Sequence, residues 1–600
     1  MFIGKFENKG VFPQKYLSKT YGHIIYDESC SVYKNKKVEI YFWGVLYNKK
    51  VLGYTSDQSD AEVISELYEI YGLKGLAKAD GSYTLMIQEG RDILIARDHH
   101  GTSKPVYYTD RYFASSLSLL QETDGFITEP DFQALSRFLN IGYIATPFSA
   151  VKGVHKLGGG EILIYKEGKQ KVENLYCTDD IMPVLSDGDL NELAEEYGRL
   201  HIKAIKKRID NKQDVGILLS GGYDSGCNLA ALRNIYAGNI RSFSIGFKGD
   251  NWTELPLARC MSDTFGTIHT EYEIDGSELS GLPDIVAHLG DPFVEGGLMV
   301  NYAAMKLIGD NKPEIILGGD GSDQYFGTSG REVALHYLIS KYKMAPLMQL
   351  VYRLLCQSGF DKNNYFYRVR FHLDKVLNIL QGDLFGFPDF RLKEMLQEKS
   401  FLSTPDTIEP DIRSFEHLYV QHAYKTDLEK IINQVILFKA TRMAEMFDNR
   451  ITFPYMDLDL YQFLQKLPVK YKCKGGNVTD IAKGHATAKY LLKYHYKPML
   501  PEVITSKKKQ GGFAPMPLFF KNDLQRSKVA DYIMNSSMFD TFLDRNVVEV
   551  FIRQYDKEVH EDGNWFWYKQ NKAIQYFNLL TLAIWWERFV KGEDNKNVLK

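Results

Sequence analysis

The residue types best suited to chemistry lie in the hexapeptide 220–225 (S-G-G-Y-D-S), which follows an apolar run over 214–219. The run is rich in large aliphatic residues and predicts a buried parallel strand. The two glycines of the hexapeptide let the backbone approach a ligand closely. Residues 226–235 predict a helix, and the free N–H groups at the start of a helix favour a phosphate-sized anion. Asp224 is unusual beside an anion unless a cation bridges them, which predicts a Mg²⁺ ligand.

The hexapeptide lacks the spacing of a Walker A loop. It resembles instead the PP-loop, S-G-G-x-D-S, which holds the pyrophosphate released when ATP adenylates a substrate. An ordinary tight turn between a strand and a helix is the alternative. The complete six-residue match, in a strand–turn–helix setting, favours the PP-loop.

A second group of carboxylates follows another predicted strand, over 314–317, in the segment 318–327 (G-G-D-G-S-D-Q-Y-F-G). Ligands gather beyond the carboxyl ends of parallel strands, so Asp224, Asp320 and Asp323 are expected to meet there. Like charges packed together require a compensating cation, and Mg²⁺ on a triphosphate supplies one. Separate caps and turns are the alternative.

The elements around these motifs predict an α/β domain. Alternating strands and helices indicate βαβ units, with helices over 190–209 and 255–265 and further strands over 240–247 and 269–274. Residues 331–430 are expected to be a helical scaffold, and 482–496 a helix.

The first 125 residues predict two sheets with a covering helix, an α+β layered domain. The expected elements are a strand over 38–46, a helix over 59–71, and a hairpin over 81–88 and 92–96. Ser59 or Asp60 is expected to cap the helix. We interpret His99 and His100 as solvated loop residues rather than metal ligands.

The bulk composition is that of an ordinary globular protein: 600 residues, 25% charged and 44% apolar. A net charge of −3 gives no support to nucleic-acid binding. The six cysteines are scattered without a C-x-x-C pair, which argues against a zinc ribbon or redox pair. No leader or membrane-spanning stretch is visible, so we expect a cytoplasmic protein without nucleic-acid or membrane partners.

Several N-terminal segments resemble, in order and rough spacing, the glutaminase domain of asparagine synthetases. They are 43–48 (W-G-V-L-Y-N), 59–64 (S-D-A-E-V-I), 80–83 (D-G-S-Y) and 96–98 (A-R-D). The resemblance implies an Ntn-hydrolase-like αββα sandwich over 1–185, with a linker near 178–189.

The departures from that family pattern concern catalysis. The family nucleophile is a cysteine exposed after Met removal, whereas here Met1 is followed by Phe2. The glutamine-binding Asn and Glu fall on Trp43 and Val45. We therefore expect a degenerate glutaminase domain that cannot hydrolyse glutamine.

The synthetase half resembles the same family more specifically, and the implied domain covers 186–600. Segment 318–327 resembles S-G-E-G-x-D-E-x-F-G-G-Y, with the charge lost at Gln324. Segment 506–515 (S-K-K-K-Q-G-G-F-A-P) resembles R-x-K-x-G-F-x-x-P, whose lysine reaches the α-phosphate; Lys508 and Lys509 both align, and we prefer Lys509. The resemblance adds roles to those argued above, and the expected site comprises catalytic Lys509, Asp320 and Lys508; nucleotide-binding Leu219, Ser220, Gly221, Gly222, Asp224, Ser225, Ile245, Gly318 and Gly319; substrate-binding Asp291 and Gln324; and Mg²⁺ ligands Asp224 and Asp323.

These expectations describe an α/β PP-loop adenylating domain with a parallel sheet and a large helical part. With ATP and Mg²⁺ it would adenylate a small-molecule or peptide carboxylate, then couple it to an amine without glutamine hydrolysis. Relatives that lost the cysteine, β-lactam synthetases and lasso-peptide cyclases, suggest specialised biosynthesis. The alternatives are an ammonia-dependent asparagine synthetase, a tRNA-modifying PP-loop enzyme and a non-catalytic nucleotide-binding scaffold. A tRNA-modifying enzyme would require a basic surface or a catalytic cysteine pair, and neither is visible. Whether the protein forms a homodimer is left open.

Overall fold

The computed structural model describes most of the chain: residues 1–6, 19–21, 24–176, 188–249, 253–309, 312–328, 330–382, 386–403, 408–506, 514–561 and 563–599. The predicted linker lies largely outside these residues, and Lys508 and Lys509 lie wholly outside them. Within the described ranges, no helix is long and apolar enough to cross a membrane.

Two six-stranded antiparallel sheets form the N-terminal region. In spatial order they are His155–Lys156, Tyr107–Tyr108, Tyr112–Ala114, Phe2–Lys5, Ile24–Tyr26 and Lys19–Tyr21, and Lys169–Asn174, Glu161–Lys166, Asp92–Arg97, Gly81–Glu89, Glu39–Leu46 and Ser31–Lys34. Aromatic and aliphatic side chains from both sheets fill the layer between them. The predicted two sheets, strand and hairpin are confirmed.

Helices cover the outer faces of these sheets, giving an α-β-β-α order of layers. They are Asp60–Tyr71 and Leu73–Leu76 on one side and Leu117–Gln121 and Phe132–Ile141 on the other. Ser59 caps the first helix, since its hydroxyl accepts the Glu62 N–H at 3.2 Å. Of the two predicted caps, Ser59 is therefore the one used.

A five-stranded parallel sheet forms the centre of the second region. Its spatial order is Ile268–Ile274, Ile240–Phe247, Val215–Leu218, Ile315–Leu317 and Ile451–Thr452. The four predicted strands are confirmed with small shifts at their ends, and the fifth was not predicted. Because the central three run in the same direction, the loops after Leu218, Phe247 and Leu317 leave one edge of the sheet.

Helices surround this sheet and extend to the end of the chain. Their bounds are Leu190–Ile209, Tyr223–Ile235, Leu255–Phe265, Leu282–Leu289, Leu298–Ile308, Ser322–Phe326, Gly330–Lys341, Ala345–Leu355, Tyr365–Leu377, Asp389–Met395, Phe415–His422, Leu437–Met446, Leu458–Lys466, Val469–Lys472, Val478–Ala482, Tyr490–Tyr496, Glu502–Thr505, Asp523–Met534, Arg545–Glu558 and Phe566–Trp585. A π-helix, Ala423–Ile436, precedes Leu437–Met446. The predicted helical character of 331–430 is confirmed.

The helix predicted over 482–496 is wrong in its first half. The chain there forms a short antiparallel ribbon, Cys473–Lys474 with Thr487–Ala488, and only Tyr490–Tyr496 is helical. Lys489 joins the two in a left-handed conformation, φ 53° and ψ 43°. A non-glycine residue rarely adopts this conformation, and sequence periodicity does not reveal it.

Candidate active site

The PP-loop segment forms an anion-sized cradle at the start of the helix Tyr223–Ile235. Gly221 has a φ of +74°, and an added Cβ would lie 2.8 Å from a carbonyl oxygen of a neighbouring segment, so glycine is required there. The Ser220 and Ser225 hydroxyls lie 3.0 Å apart, and Ser220 Oγ accepts the Gly222 N–H at 3.3 Å. Gly222 is the N-cap and supplies no side-chain cap, which leaves helix N–H groups available to an anion.

Asp224 and Asp323 converge on one lysine. Lys489 Nζ lies 2.6 Å from Asp224 Oδ2 and 2.8 Å from Asp323 Oδ1. Burial alone would lower the pKa of Lys489, but the two carboxylates raise it above its ordinary value. The ammonium is therefore held charged between the two predicted Mg²⁺ ligands.

The donor set suits Mg²⁺ bound together with polyphosphate. Carboxylate oxygens are the ligands that Mg²⁺ prefers, and it commonly uses only one or two of them beside phosphate and water. Among the described residues, no cluster of three or more His, Cys, Asp or Glu could hold a metal by itself. Asp224 and Asp323 therefore fit a metal that arrives with the triphosphate.

Lys489 is the main site residue that the sequence analysis missed. The predicted helix over 482–496 includes this residue, and the helical pattern gives no indication that its side chain faces the PP-loop. The left-handed turn before Tyr490 directs the chain so that Lys489 Nζ meets both carboxylates. In the sequence, Lys489 is one of several lysines in this stretch, and nothing in its neighbours distinguishes it.

Asp320 lies in a second charged cluster, with Glu295 and Lys439. Lys439 is 6% exposed and its ammonium forms an ion pair with Glu295. Burial raises the pKa of Asp320 to about 6, although the Lys439 cation opposes the rise. A carboxyl group with a pKa near neutrality can accept a proton at physiological pH. Lys439 and Glu295 were not predicted.

The predicted nucleotide-binding residues are brought to the carboxyl ends of three neighbouring strands. Leu219 is buried, and its N–H donates to the Phe243 carbonyl at 2.9 Å. Ile245 is half-buried in Ile240–Phe247, and Gly318 and Gly319 directly follow Ile315–Leu317. Gln324 is half-buried on the short helix that carries Asp323. Their ligand roles remain predictions.

A buried hydrogen-bond chain supports this edge of the sheet. His201 Nε2 lies 2.8 Å from Asn228 Oδ1, and Asn228 Nδ2 donates to the Gly318 carbonyl at 3.0 Å. His201 Nδ1 lies 2.6 Å from the Tyr496 hydroxyl. Burial lowers the pKa of His201 to about 4, so the ring is neutral at pH 7. The chain ties the PP-loop helix to the loop before Asp320 and to the helix that begins after Lys489.

Asp291 is held by the N-terminal region. It is 5% exposed, its Oδ1 accepts hydrogen bonds from Ser149 Oγ at 2.8 Å and Ala150 N at 2.9 Å, and its Oδ2 lies 2.7 Å from Lys156 Nζ. It contributes to the wall of a cavity of about 360 Å³ between the two regions. Ser149, Ala150 and Lys156 therefore hold the Asp291 carboxylate in place. A substrate role for Asp291 remains a prediction.

Aromatic packing occupies the positions where the resemblance places the glutaminase chemistry. The Phe2 ring centroid lies 4.4 Å from that of Trp43, and the two side chains are 1% and 2% exposed. The Phe2 N–H donates to Ser115 Oγ at 3.0 Å. Val45 is 43% exposed and offers no polar group.

His100 joins the two regions. It is 4% exposed, its Nδ1 lies 2.9 Å from Asn433 Oδ1 and its Nε2 lies 2.8 Å from the Tyr325 hydroxyl. The interpretation of His100 as a solvated loop residue is wrong, and His99 is half-buried. Burial lowers the pKa of His99 to about 4, and it also lowers the pKa of His100 well below its ordinary value.

Charged contacts add to this junction. Lys207 Nζ lies 3.2 Å from Asp80 Oδ2 and 3.0 Å from Asp457 Oδ2. The Tyr47 hydroxyl lies 3.0 Å from Thr452 Oγ1, beside the fifth strand of the parallel sheet. Paired and hydrogen-bonded buried groups of this kind fix the geometry between two packed surfaces.

A PP-loop-like turn on a parallel sheet, preceded in the chain by an antiparallel sandwich, is the arrangement of a synthetase domain joined to an amidotransferase-like domain. The asparagine synthase family matches residues 197–587, and the glutamine amidotransferase domain matches residues 31–176. The first match covers well over half of the chain. The protein therefore belongs to the asparagine synthase family.

Two relatives and one solved structure illustrate the extent of the similarity. The asparagine synthetase (glutamine-hydrolyzing) 1 of Bacillus subtilis strain 168 is 23% identical over 563 residues, covering 89% of this chain and 84% of that protein. A putative asparagine synthetase (glutamine-hydrolyzing) 2 of Methanocaldococcus jannaschii is 26% identical over 323 residues, covering 50% and 62%. The solved NMN synthetase of Francisella tularensis aligns over 24% of this chain and 59% of its own at 15% identity, with a TM-score of 0.18, too low to support an argument.

Proposed function

We propose that the protein is an ATP-dependent ligase that adenylates a carboxylate, releases pyrophosphate and couples the acyl group to an amine without hydrolysing glutamine. The observation that carries the proposal is the convergence of Asp224, Asp323 and Lys489 beside an open helix N-terminus. Two anions and a buried cation at one point form a site for a metal-bound polyphosphate.

The residues of this site divide the first half-reaction between them. Mg²⁺, when bound by Asp224 and Asp323, would neutralise the pyrophosphate leaving group. The Ser225 hydroxyl and the helix N–H groups would hold phosphate oxygens, and Lys489 would shift from the carboxylates to the phosphates. Lys509, by its resemblance to the family lysine, would stabilise the charge that develops at the α-phosphate.

Asp320 is assigned to the second half-reaction. An ammonium group must lose a proton before its nitrogen can attack an acyl-adenylate, and a carboxylate whose pKa is near 6 can accept that proton at pH 7. Lys439 and Glu295 would position Asp320. The cavity between the two regions would admit the amine-bearing substrate, since Phe293 and Phe438 line it within two residues of Glu295 and Lys439.

The absence of glutamine hydrolysis rests on the N-terminal packing. Phe2 has no nucleophile, and Trp43 fills space that an amide substrate would need. A second candidate, an ammonia-dependent asparagine synthetase, is favoured by the 84% coverage of the Bacillus subtilis relative. The glutamine at position 324, where the resemblance has a second acidic residue, weighs against it.

Nucleotide product analysis tests the proposal. Purified protein would receive Mg·ATP with aspartate and ammonium, with aspartate and glutamine, or with a small-molecule extract of the host. We expect AMP and pyrophosphate only with the extract; formation with ammonium would favour the second candidate. Asp224→Ala should abolish AMP in every case, and the exposed Asp263→Asn should not. An absence of AMP under all conditions would contradict the proposal and favour a scaffold role.

A further inference from the structure

The helix Ala345–Leu355 carries an exposed apolar stripe. Leu347, Leu350 and Leu354 are 56%, 55% and 57% exposed. Their spacing of three and four residues places them on one side of the helix. Isolated exposed leucines are common on protein surfaces, but three in line on one helix are not.

The stripe faces away from the rest of the protein. On the same helix, Tyr352 donates its hydroxyl to Asp374 Oδ1 at 2.5 Å, on the neighbouring helix Tyr365–Leu377. The helix therefore packs through its Tyr352 side. With a rotation of about 100° per residue, the three leucines lie roughly 160° to 220° around the helix from Tyr352.

Two more exposed large side chains lie just before the helix. Tyr342 and Met344 are 66% and 43% exposed. We call these two residues and the three leucines the apolar face. Five large side chains, each about half exposed and on the order of 200 Å² in full, leave about 500 Å² of apolar surface. Contiguous patches of this size are frequently interaction sites.

The charged residues next to the apolar face in the sequence are all cations. Residues 333–360 contain Lys341, Lys343 and Arg353 and no Asp or Glu, although the whole chain has a net charge of −3. All three cations are exposed. The face therefore favours a partner that is apolar at its centre and anionic at its surface.

Two protein partners fit poorly. A second copy related by a two-fold axis would bring these cations against one another, and about 500 Å² is less than the about 800 Å² per partner of a standard interface. A different protein would be expected to meet a surface rich in Tyr, Trp and Arg, since Leu is under-represented at hot spots and Lys is depleted at interfaces.

We propose that the apolar face binds the surface of an anionic lipid bilayer. A leucine stripe with lysines and arginine beside it and an aromatic residue at its edge is the composition of an interfacial helix. The leucines would enter the boundary between headgroups and acyl chains, and the cations would contact anionic headgroups. Such peripheral binding needs no membrane-spanning helix, and it replaces the expectation that the protein has no membrane partner.

Vesicle co-sedimentation of the full-length protein tests this proposal. Vesicles would contain phosphatidylcholine alone or phosphatidylcholine with about one-third phosphatidylglycerol. We expect sedimentation with the anionic vesicles at low salt, little with neutral vesicles, and release at high salt. No sedimentation with anionic vesicles at low salt would overturn the proposal.

Variants locate the binding surface. Leu350→Ser with Leu354→Ser, and separately Lys341→Glu with Lys343→Glu, should each lower the bound fraction about ten-fold. Ile127→Ser, at a side chain that is 80% exposed elsewhere, should leave it unchanged. AMP formation without vesicles should be the same in all four proteins. Equal binding by the leucine variant would overturn the proposal, as would a concentration-dependent dimer that the leucine variant abolishes.

Discussion

The two regions of this protein differ in the side chains that they place where the family resemblance predicts chemistry. In the parallel-sheet region, Asp224, Asp323 and Lys489 keep charge at one point beside an open helix end. In the N-terminal sandwich, Phe2 and Trp43 make an aromatic contact at the positions where the resemblance places the glutaminase nucleophile and a glutamine-binding residue. Because buried charges cost free energy and often mark functional sites, the difference supports a ligand-binding role for the charged cluster and a packing role for the aromatic contact.

The N-terminal region contacts the elements that carry the candidate active site. His100 contacts Tyr325, on the short helix that carries Asp323, and Lys207 bridges Asp80 and Asp457. Through these contacts the sandwich can position Asp323 and the elements beside it. The comparison therefore predicts that substitutions at the charged site remove activity and keep stability, that substitutions in the N-terminal aromatic packing do the reverse, and that substitutions at the junction lower both.

The largest effect is expected at the carboxylates. Asp224→Asn or Asp323→Asn should lower AMP formation roughly 10³-fold, because the metal-bound polyphosphate loses a ligand. Thermal unfolding should change little. Asp263→Asn, at an exposed carboxylate, is the matched control, and equal losses in the control would break the comparison.

Lys489→Gln should lower kcat roughly 10²-fold, because a cation that contacts phosphate oxygens is removed. It should also leave Asp224 and Asp323 facing each other without a counter-charge, so Mg·ATP should raise the thermal midpoint more in this variant than in the wild type. Steady-state kinetics and thermal unfolding measure the two effects. The exposed Lys497→Gln should do neither.

The pH dependence sharpens the role of Asp320. Its pKa of about 6 means that the carboxylate form is lost as the pH falls through 6. kcat/KM should therefore fall about ten-fold per pH unit below 6 and level off above it. Asp320→Asn should show low activity without this limb, and an unchanged limb in that variant would remove Asp320 as the base.

His100→Leu tests the junction between the regions. It leaves Tyr325 and Asn433 without their partner, so we expect a loss of about 1–3 kcal/mol in the free energy of unfolding and an approximately ten-fold lower kcat, since Asp323 is less well positioned. The exposed His155→Gln should change neither quantity. A stability loss with full activity would limit the sandwich to a structural role.

Phe2→Cys is expected to have the smallest effect on activity. It should lower the free energy of unfolding by about 3 kcal/mol, since a buried aromatic ring is lost. AMP formation should stay within two-fold of wild type, because the substitution lies in the N-terminal packing and not at the charged site. No glutaminase activity should appear, because Trp43 and Val45 still stand where polar anchors are needed. Val45→Ala, at an exposed side chain, is the control for stability.

The sequence predicted the parts of the site that are local. The strand, turn and helix of the PP-loop follow from a short apolar run and two glycines, and the structure places them as expected. Asp224 and Asp323 could be brought together by reasoning because both follow strands of one parallel sheet. Lys508 and Lys509 lie outside the described residues, so their roles remain predictions.

The parts that the sequence missed depend on distant contacts. Lys489 reaches the site only because a residue in a left-handed conformation interrupts what the periodicity predicts as one helix. His100 reads as a loop residue until its partners, more than 200 positions away, are known. Lys439 stands on an amphipathic helix, where a lysine is normally solvated rather than paired in the interior.

One measurement tests the central claim most directly: glutamine labelled with ¹⁵N in its amide is supplied with Mg·ATP and the host extract, and AMP, glutamate and the labelled product are quantified in the same reaction by mass spectrometry. The account predicts AMP and an amide product, no glutamate above a protein-free control, and no ¹⁵N in the product. Glutamate formed in proportion to AMP, with ¹⁵N in the product, would show that the sandwich still hydrolyses glutamine and would contradict the account.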